Sequence, residues 1–209
     1  MRLFNISSGN IQPCRDGGEI GRKIMLLAFA PFIAFAAIDR LVGPMEGMLA
    51  GFAVSAALLI RDWSRGSGPK VLEIGTAALF GALGCYAWLA DPAWSLWGVR
   101  LVVDSGLLLI VLVSIVIRQP FTLQYARERV PADVQASAEF VRTNYVITAV
   151  WALAFAVMVA IDLVLTWMPD LPARFGIIPT VLALVGAFKF TAWYPERRRA
   201  VARSATSLR

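Results

Sequence analysis

Two aspartates and an arginine lie deep within the apolar segments of this 209-residue chain, and they are the residues best able to do chemistry. A charge inside a membrane is costly unless it is paired or hydrated, so Arg100, Asp104 and Asp162 are candidates for a functional site. Arg100 and Asp104 lie four residues apart, so on a helix they share a face and can pair. Carboxylates at such a position can also accept and release protons.

The positions of the two carboxylates along their segments predict that they lie near the same end of a bundle. Asp104 is about 10 Å from Trp97 and Asp162 about 9 Å from Met168 along a helix, at ~1.5 Å per residue. The first apolar segment ends on that same, non-cytoplasmic side with an aspartate and an arginine. We expect convergence of five ionisable residues: Asp39, Arg40, Arg100, Asp104 and Asp162. They form either a polar pocket or ion path open to the outside, or a structural salt-bridge cluster tying three helices together.

The distribution of positive charge predicts how the chain crosses a membrane. The numbers of Lys and Arg residues in successive polar gaps are 4, 1, 3, 0, 4, 1 and 5, with two more inside the apolar segments. Because short cytoplasmic loops are enriched in Lys and Arg, the alternation places both termini in the cytoplasm. The sequence therefore predicts a multi-pass protein of the bacterial inner (cytoplasmic) membrane, in contact with the lipid bilayer.

The apolar segments predict an all-α transmembrane helical bundle. They cover about 24–38, 45–60, 71–89, 97–117, 145–168 and 177–193. The first two are shorter than the ~20 residues that a crossing helix needs, so the bundle has either six spans or four spans plus a short hairpin. The expected organisation is a cytoplasmic segment 1–23, a membrane domain 24–193 and a basic cytoplasmic tail 194–209. The cytoplasmic loop 118–144 carries a short amphipathic helix after Pro131.

Composition excludes several classes of function. The chain is 58% hydrophobic and 16% charged, has no histidine, and has a net charge of +6 that is spread over loops and tail. Positive charges spread in this way face anionic lipid, and they do not predict nucleic-acid binding. Without histidine, a phosphate-binding loop or a nucleophile elbow, the sequence favours a non-enzymatic protein with no cofactor and no metal. A membrane-bound enzyme that uses carboxylates as acid and base stays a third alternative. The cysteines, Cys14 and Cys85, are not expected to pair.

Charged residues near the cytoplasmic boundary are expected to be solvated. Arg61 and Asp62 follow an apolar segment, and Lys70 ends a glycine-rich turn. Long side chains at such boundaries extend to the interface. Glu73 and Lys189 are the exceptions, since each lies farther inside its segment.

Small residues four apart predict close helix packing in the second and third segments. The stripes consist of Gly47, Gly51 and Ser55, and of Ala77, Gly81 and Cys85. Such stripes let helix backbones approach closely in lipid. They serve either packing within one subunit or the interface of a homo-oligomer.

Five short motifs occur in the order in which a known family has them. They are Pro31-Phe32-Ile33-Ala34-Phe35, Phe80-Gly81-Ala82-Leu83, Arg118-Gln119-Pro120, Trp151-Ala152-Leu153-Ala154-Phe155 and Phe175-Gly176. In these motifs the chain resembles the bacterial intracellular septation protein A family. It departs from that family in a longer connection after Pro131 and in Asp162, where the family tends to have Asn.

The resemblance implies a non-enzymatic integral inner-membrane protein that supports cell-envelope maintenance, elongation or septation. It would act through contacts with other inner-membrane proteins of envelope synthesis or division, using the small-residue stripes and the loop 118–144. The alternative, from the intramembrane charges, is a small transporter or ion channel with an outward-side polar site at Arg100, Asp104 and Asp162.

Overall fold

The computed structural model describes residues 27–90, 95–128, 130–168, 170–172 and 174–207. These residues form helices and no strand. The helices are α1 (Ala30–Leu41), α2 (Pro44–Ser64), α3 (Val71–Ala90), α4 (Leu96–Val116), α5 (Phe121–Arg127), α6 (Ala132–Gln135), α7 (Ala138–Trp167) and α8 (Arg174–Ser207). The expected cytoplasmic segment 1–23, with Cys14, lies outside the described residues.

Within the described part of the chain, five helices are long and apolar enough to cross a membrane. They are α2, α3, the Trp97–Val116 part of α4, α7, and the Arg174–Arg198 part of α8. Large apolar side chains point away from the bundle on several of them, as Leu109, Leu153 and Leu182 show with exposures of 61%, 65% and 66%. Such an outward apolar surface suits lipid contact. The chain is a helical, multi-pass membrane protein.

The first expected span differs from the helix found there. Helix α1 begins at Ala30 with Pro31 in its first turn, and it has 12 residues. At ~1.5 Å per residue it is about 18 Å long, which is short of the ~30 Å hydrocarbon core. Helix α2 has 21 residues and is long enough by itself. Within the described residues, the first two segments are therefore a partial and a full-length helix, packed on each other.

The connection 118–144 is more helical than the sequence indicates. Helix α5 packs against α7 through Thr122, whose hydroxyl donates to the Asn144 carbonyl at 2.9 Å. The amphipathic helix expected after Pro131 is divided, because α6 has only four residues and α7 already begins at Ala138. The Ser137 hydroxyl caps α7 by accepting from the Phe140 N–H at 3.3 Å. The expected tail 194–209 likewise continues α8 as far as Ser207.

Two aromatic clusters fill the core between the helices. In one cluster the Trp151 ring stacks on Phe29 at 4.7 Å and lies 5.6 Å from Phe155. In the other, the Phe80 ring lies 5.3 Å from Phe32 and 5.4 Å from Phe35. The first cluster joins the start of α1 to α7, and the second joins α1 to α3. The principal helix contacts follow the order α1–α2, α2–α3, α4–α7 and α7–α8.

The small residues of α2 lie at contacts within this chain. The backbone of Gly47 packs against Asp39 of α1, and Gly51 packs against the Phe80 ring of α3. Ser55 is buried and donates to the Gly51 carbonyl at 2.9 Å. On α3, Gly81 approaches the Phe52 ring, Ala77 is half-buried and Cys85 is exposed.

Because Gly51 packs closely against Phe80, we expect that position 51 does not tolerate even the methyl group of alanine. A Cβ at Gly51 would lie 2.8 Å from the Phe80 ring, which is itself fully buried and cannot move aside. Gly51→Ala should therefore lower the free energy of unfolding by roughly 1–3 kcal/mol, as overpacking does. Gly84→Ala is the matched control, since nothing lies within 4 Å of a Cβ there. Denaturant unfolding in detergent measures both, and equal stability of the two variants would contradict the packing assignment.

Candidate functional site

The site centres on two aspartates that face each other across neighbouring helices. Asp104 is on α4 and Asp162 on α7, two helices that pack directly together. Asp162 is fully buried and Asp104 is 9% exposed. The two carboxyl groups are close enough for a proton on one to form a hydrogen bond to the other.

Arg100 is the cation at this site, and it has three contacts. Its Nη2 lies 3.6 Å from Asp162 Oδ1 and 3.5 Å from the Thr180 hydroxyl of α8. Its guanidinium also lies 5.2 Å from the Trp97 ring centroid. The ion pair therefore joins α4 to α7, whereas the four-residue spacing suggested a pair with Asp104. Helical side chains lean toward the helix N-terminus, so Arg100 extends toward Trp97 and away from Asp104.

The pairing of these charges is incomplete. Asp104 Oδ2 and both carboxylate oxygens of Asp162 are buried without a hydrogen-bond partner among the described residues. Buried charged groups are normally paired and hydrogen-bonded, because an unpaired carboxylate in an apolar interior is strongly unfavourable. The arrangement thus differs from a closed salt-bridge cluster, since Asp104 Oδ2 and Asp162 Oδ2 have no donor and Asp162 Oδ1 has only the Arg100 contact at 3.6 Å.

A cavity of about 540 Å³ lies beside these groups, between α1, α4, α7 and α8. Its walls are mainly aromatic. They include Phe29, Phe32, Phe35, Trp151, Phe155 and Phe188. Its polar lining comprises Asp39, Arg40, Arg100, Asp104 and Thr180. The volume is in the ~300–1,000 Å³ range of small-molecule sites, which are also mostly apolar with a few polar groups.

The structure places the five predicted residues in two arrangements. Arg100, Asp104 and Asp162 form one contiguous group, with Asp162 behind the cavity wall. Asp39 and Arg40 line the same cavity from the C-terminal part of α1, where Asp39 is half-buried and Arg40 is exposed. Together they comprise three carboxyl groups and two guanidinium groups.

Sequence reasoning missed a second cluster of charges, at the other end of the bundle. Lys70 is 3% exposed and forms an ion pair with Asp62 Oδ2 of α2. Its Nζ also lies 2.9 Å from Glu128 Oε1 and 3.6 Å from Glu73 Oε1. Arg61 Nη2 lies 2.7 Å from the other Asp62 oxygen. The expectation that Asp62 is solvated is wrong, because helix α5 covers this region; Lys70, expected only as a positive charge in a cytoplasmic turn, is buried beside it.

Helix α5 completes the second cluster through two polar contacts. The Tyr125 hydroxyl donates to Glu73 Oε1 at 3.2 Å, and the Val71 N–H donates to Gln124 Oε1 at 2.8 Å. Lys70 Nζ lies 5.1 Å from the Tyr125 ring centroid. The alternation of apolar and polar residues after Pro120 is typical of a strand, so the local sequence gives no signal for a buried helix here. Lys189, the other exception expected from the sequence, is exposed on α8.

The surroundings of Lys70 and Tyr125 fix their protonation at neutral pH. Burial alone would lower the pKa of Lys70. Its bonds to Asp62 and Glu128 and the charge of Glu73 more than offset that effect, so the pKa lies above its ordinary value of 10.5. Burial, followed by the charge of Glu73, raises the pKa of Tyr125 above its ordinary value of 10.0. Lys70 therefore stays charged and Tyr125 stays a hydrogen-bond donor. The stabilising effect of Lys70 is complete below pH 10.5 and is lost only as pH rises through its raised pKa.

Comparisons with known proteins found no match: no protein-family model, no curated protein and no solved structure corresponds to this chain. The resemblance to the intracellular septation protein A family therefore stays a prediction. Among the described residues, no group of three Cys, Asp or Glu side chains is arranged to hold a metal ion.

The contacts of Lys70 indicate that the free energy of unfolding depends strongly on this one side chain. Lys70→Met would leave two buried carboxylates, Asp62 and Glu73, without their shared partner. Removing one partner of a buried ion pair costs roughly 3–5 kcal/mol, so the free energy of unfolding should fall by about that amount. Arg65→Met removes an exposed charge from the same connection and is the control. Denaturant unfolding at pH 7 compares them, and a loss no larger than in the control would contradict the assigned pairing.

Proposed function

We propose that this protein is a small transporter that binds a solute in the cavity beside Arg100, Asp104 and Asp162 and moves it across the membrane. One observation carries the proposal. Buried carboxylate oxygens without partners adjoin a cavity of about 540 Å³ between apolar helices. Ionisable groups within membrane-spanning helices generally mark substrate, ion or proton pathways, because their cost must be offset by a role.

The arrangement of the two ends supports the same function. The end with Lys70 is densely paired and covered by α5, whereas the end with Arg100 has free acceptors and a cavity. A carrier that is closed at one end and accessible at the other has this asymmetry. By the charge distribution, the accessible end faces outward.

The interaction role implied by the family resemblance has weaker support from the geometry. Its contact surfaces would be the small-residue stripes and the connection 118–144. Gly47, Gly51 and Ser55 are already buried against helices of this chain, and much of α5 is buried against its own bundle. The interaction role therefore rests on the resemblance alone.

Solute flux into proteoliposomes tests the transport function. Radiolabelled solutes of four classes are used: inorganic cations, organic cations, amino acids and carboxylic acids. We expect wild-type protein to move at least one class faster than protein-free liposomes do. Asp104→Asn and Asp162→Asn should reduce that flux to the background rate, because the first removes a carboxylate of the cavity lining and the second removes the carboxylate directly behind it.

The control is Asp170→Asn, which makes the same chemical change at an exposed loop residue outside the cavity lining. It should keep the wild-type flux. Monodisperse elution and an unfolding transition verify that each variant is folded. Background flux of every class in the wild type, or wild-type flux in folded Asp104→Asn, would contradict the proposal.

A further inference from the structure

The charge balance at the cavity favours a cationic ligand. Arg100 is engaged with Asp162, Thr180 and the Trp97 ring, while Asp104 Oδ2 and Asp162 Oδ2 have neither a hydrogen bond nor an ion pair among the described residues. At the aspartate pair one guanidinium, that of Arg100, stands against two carboxyl groups, which leaves one acidic group in excess. A ligand with a single positive charge would balance the site, whereas an anion would add to the excess.

The walls of the cavity point to an organic cation. Six aromatic side chains line it, and aromatic faces attract cations within about 6 Å of the ring centroid. Small hard cations instead need several oxygen ligands, and the described residues provide no such cage. The polar part of the cavity suits a positive centre and its aromatic part suits apolar substituents.

The opening of the cavity lies at the apolar surface of the bundle, which suits a hydrophobic organic cation. Ile33 and Ala36 of α1 and Ile177 and Val181 of α8 line the cavity and are exposed at the bundle surface. Helices α1 and α8 are not among the principal packed pairs of the described chain. A ligand that partitions into the bilayer can therefore approach between these two helices.

We propose that the cavity binds a hydrophobic organic cation, of the tetraalkyl- or tetraaryl-onium class, with its positive centre near Asp104 and its substituents against the aromatic walls. The inference rests on the proposed function and specifies its ligand. Protons compete with the cation at Asp104. Asp162 from α7 and Arg100 on its own helix act directly on that residue, Asp39 and Arg40 of α1 line the same cavity, and α8 contributes uncharged Thr180. Binding therefore weakens as the pH falls.

Equilibrium binding of radiolabelled tetraphenylphosphonium to the protein in lipid nanodiscs tests the assignment. Tetraphenylborate has the same shape and the opposite charge, and triphenylphosphine oxide is a neutral analogue. We expect saturable binding of the cation above empty nanodiscs and at least tenfold weaker binding of the other two. Saturable binding of the borate or the oxide with the affinity of the cation would overturn the charge argument.

Two pairs of variants separate the electrostatic and aromatic contributions. Asp104→Asn should weaken tetraphenylphosphonium binding at least tenfold, with Asp170→Asn as the control. Phe188→Leu should weaken it severalfold, with Phe175→Leu, an exposed residue of the same helix, as the control. Phe188→Leu also provides a test if Asp104→Asn fails to fold. Wild-type affinity in Phe188→Leu or in folded Asp104→Asn would overturn the proposal.

The binding and flux experiments fail independently. If an amino acid or an inorganic cation shows Asp104-dependent flux and tetraphenylphosphonium does not bind, the transport function stands and the ligand class is overturned. If tetraphenylphosphonium binds through Asp104 and no class of solute is transported, the ligand class stands and transport is overturned.

Discussion

The cost of burying charge among apolar helices is the constraint on which the rest of this structure depends. Two places in the bundle carry several buried ionisable groups, and each stands where helices meet. At one, Lys70 joins α2, the start of α3 and the end of α5 through three carboxylates. At the other, Arg100 joins α4 to α7 and α8 through Asp162 and Thr180. Apolar packing in lipid gives little directional preference, so these polar contacts fix which helices are neighbours.

The two clusters differ in how fully their charges are paired, and this difference distinguishes a cluster that stabilises the fold from one that can bind a ligand. Lys70 has three anionic partners and contacts an aromatic ring, and only one carboxylate oxygen of its cluster, Glu73 Oε2, has no partner. At the opposite end, three oxygens of two aspartates have no hydrogen bond among the described residues, and only one of them, Asp162 Oδ1, has a cation within 4 Å. The first arrangement holds the fold together, while the second has capacity left for a ligand.

The sequence predicted the long apolar helices that face lipid better than the short helix α5, which packs on other helices. The apolar segments and the glycine spacing of α2 follow directly from residue type, because lipid imposes a simple hydrophobic rule. The short helix α5 was missed, since its buried face depends on contacts with Thr148 and Asn144 far along the chain. The buried state of Lys70 was missed for the same reason. Loop charges are usually solvated, and only tertiary contact with Glu128 and Tyr125 makes this one different.

The intramembrane charges were identified from the sequence, but their partners were not. Depth along a helix placed Asp104 and Asp162 near one end of the bundle, and the structure brings them together. The pairing of Arg100 with α7 instead of Asp104 depends on side-chain direction, which residue spacing does not encode. The cavity depends on the separation of α1 from α8, which no local pattern reveals.

Water access to the cavity tests the central claim most directly. In a Cys14→Ser, Cys85→Ser background, Ala36→Cys places a thiol on the cavity wall, and Ala53→Cys places one on an exposed part of α2 outside the lining. A charged methanethiosulfonate, which does not enter lipid, is applied to intact proteoliposomes. A cavity that receives solute predicts rapid modification of Ala36→Cys, slowed by tetraphenylphosphonium, and no modification of Ala53→Cys. Equally slow modification of both positions would show that water does not reach the cavity, and it would contradict the account.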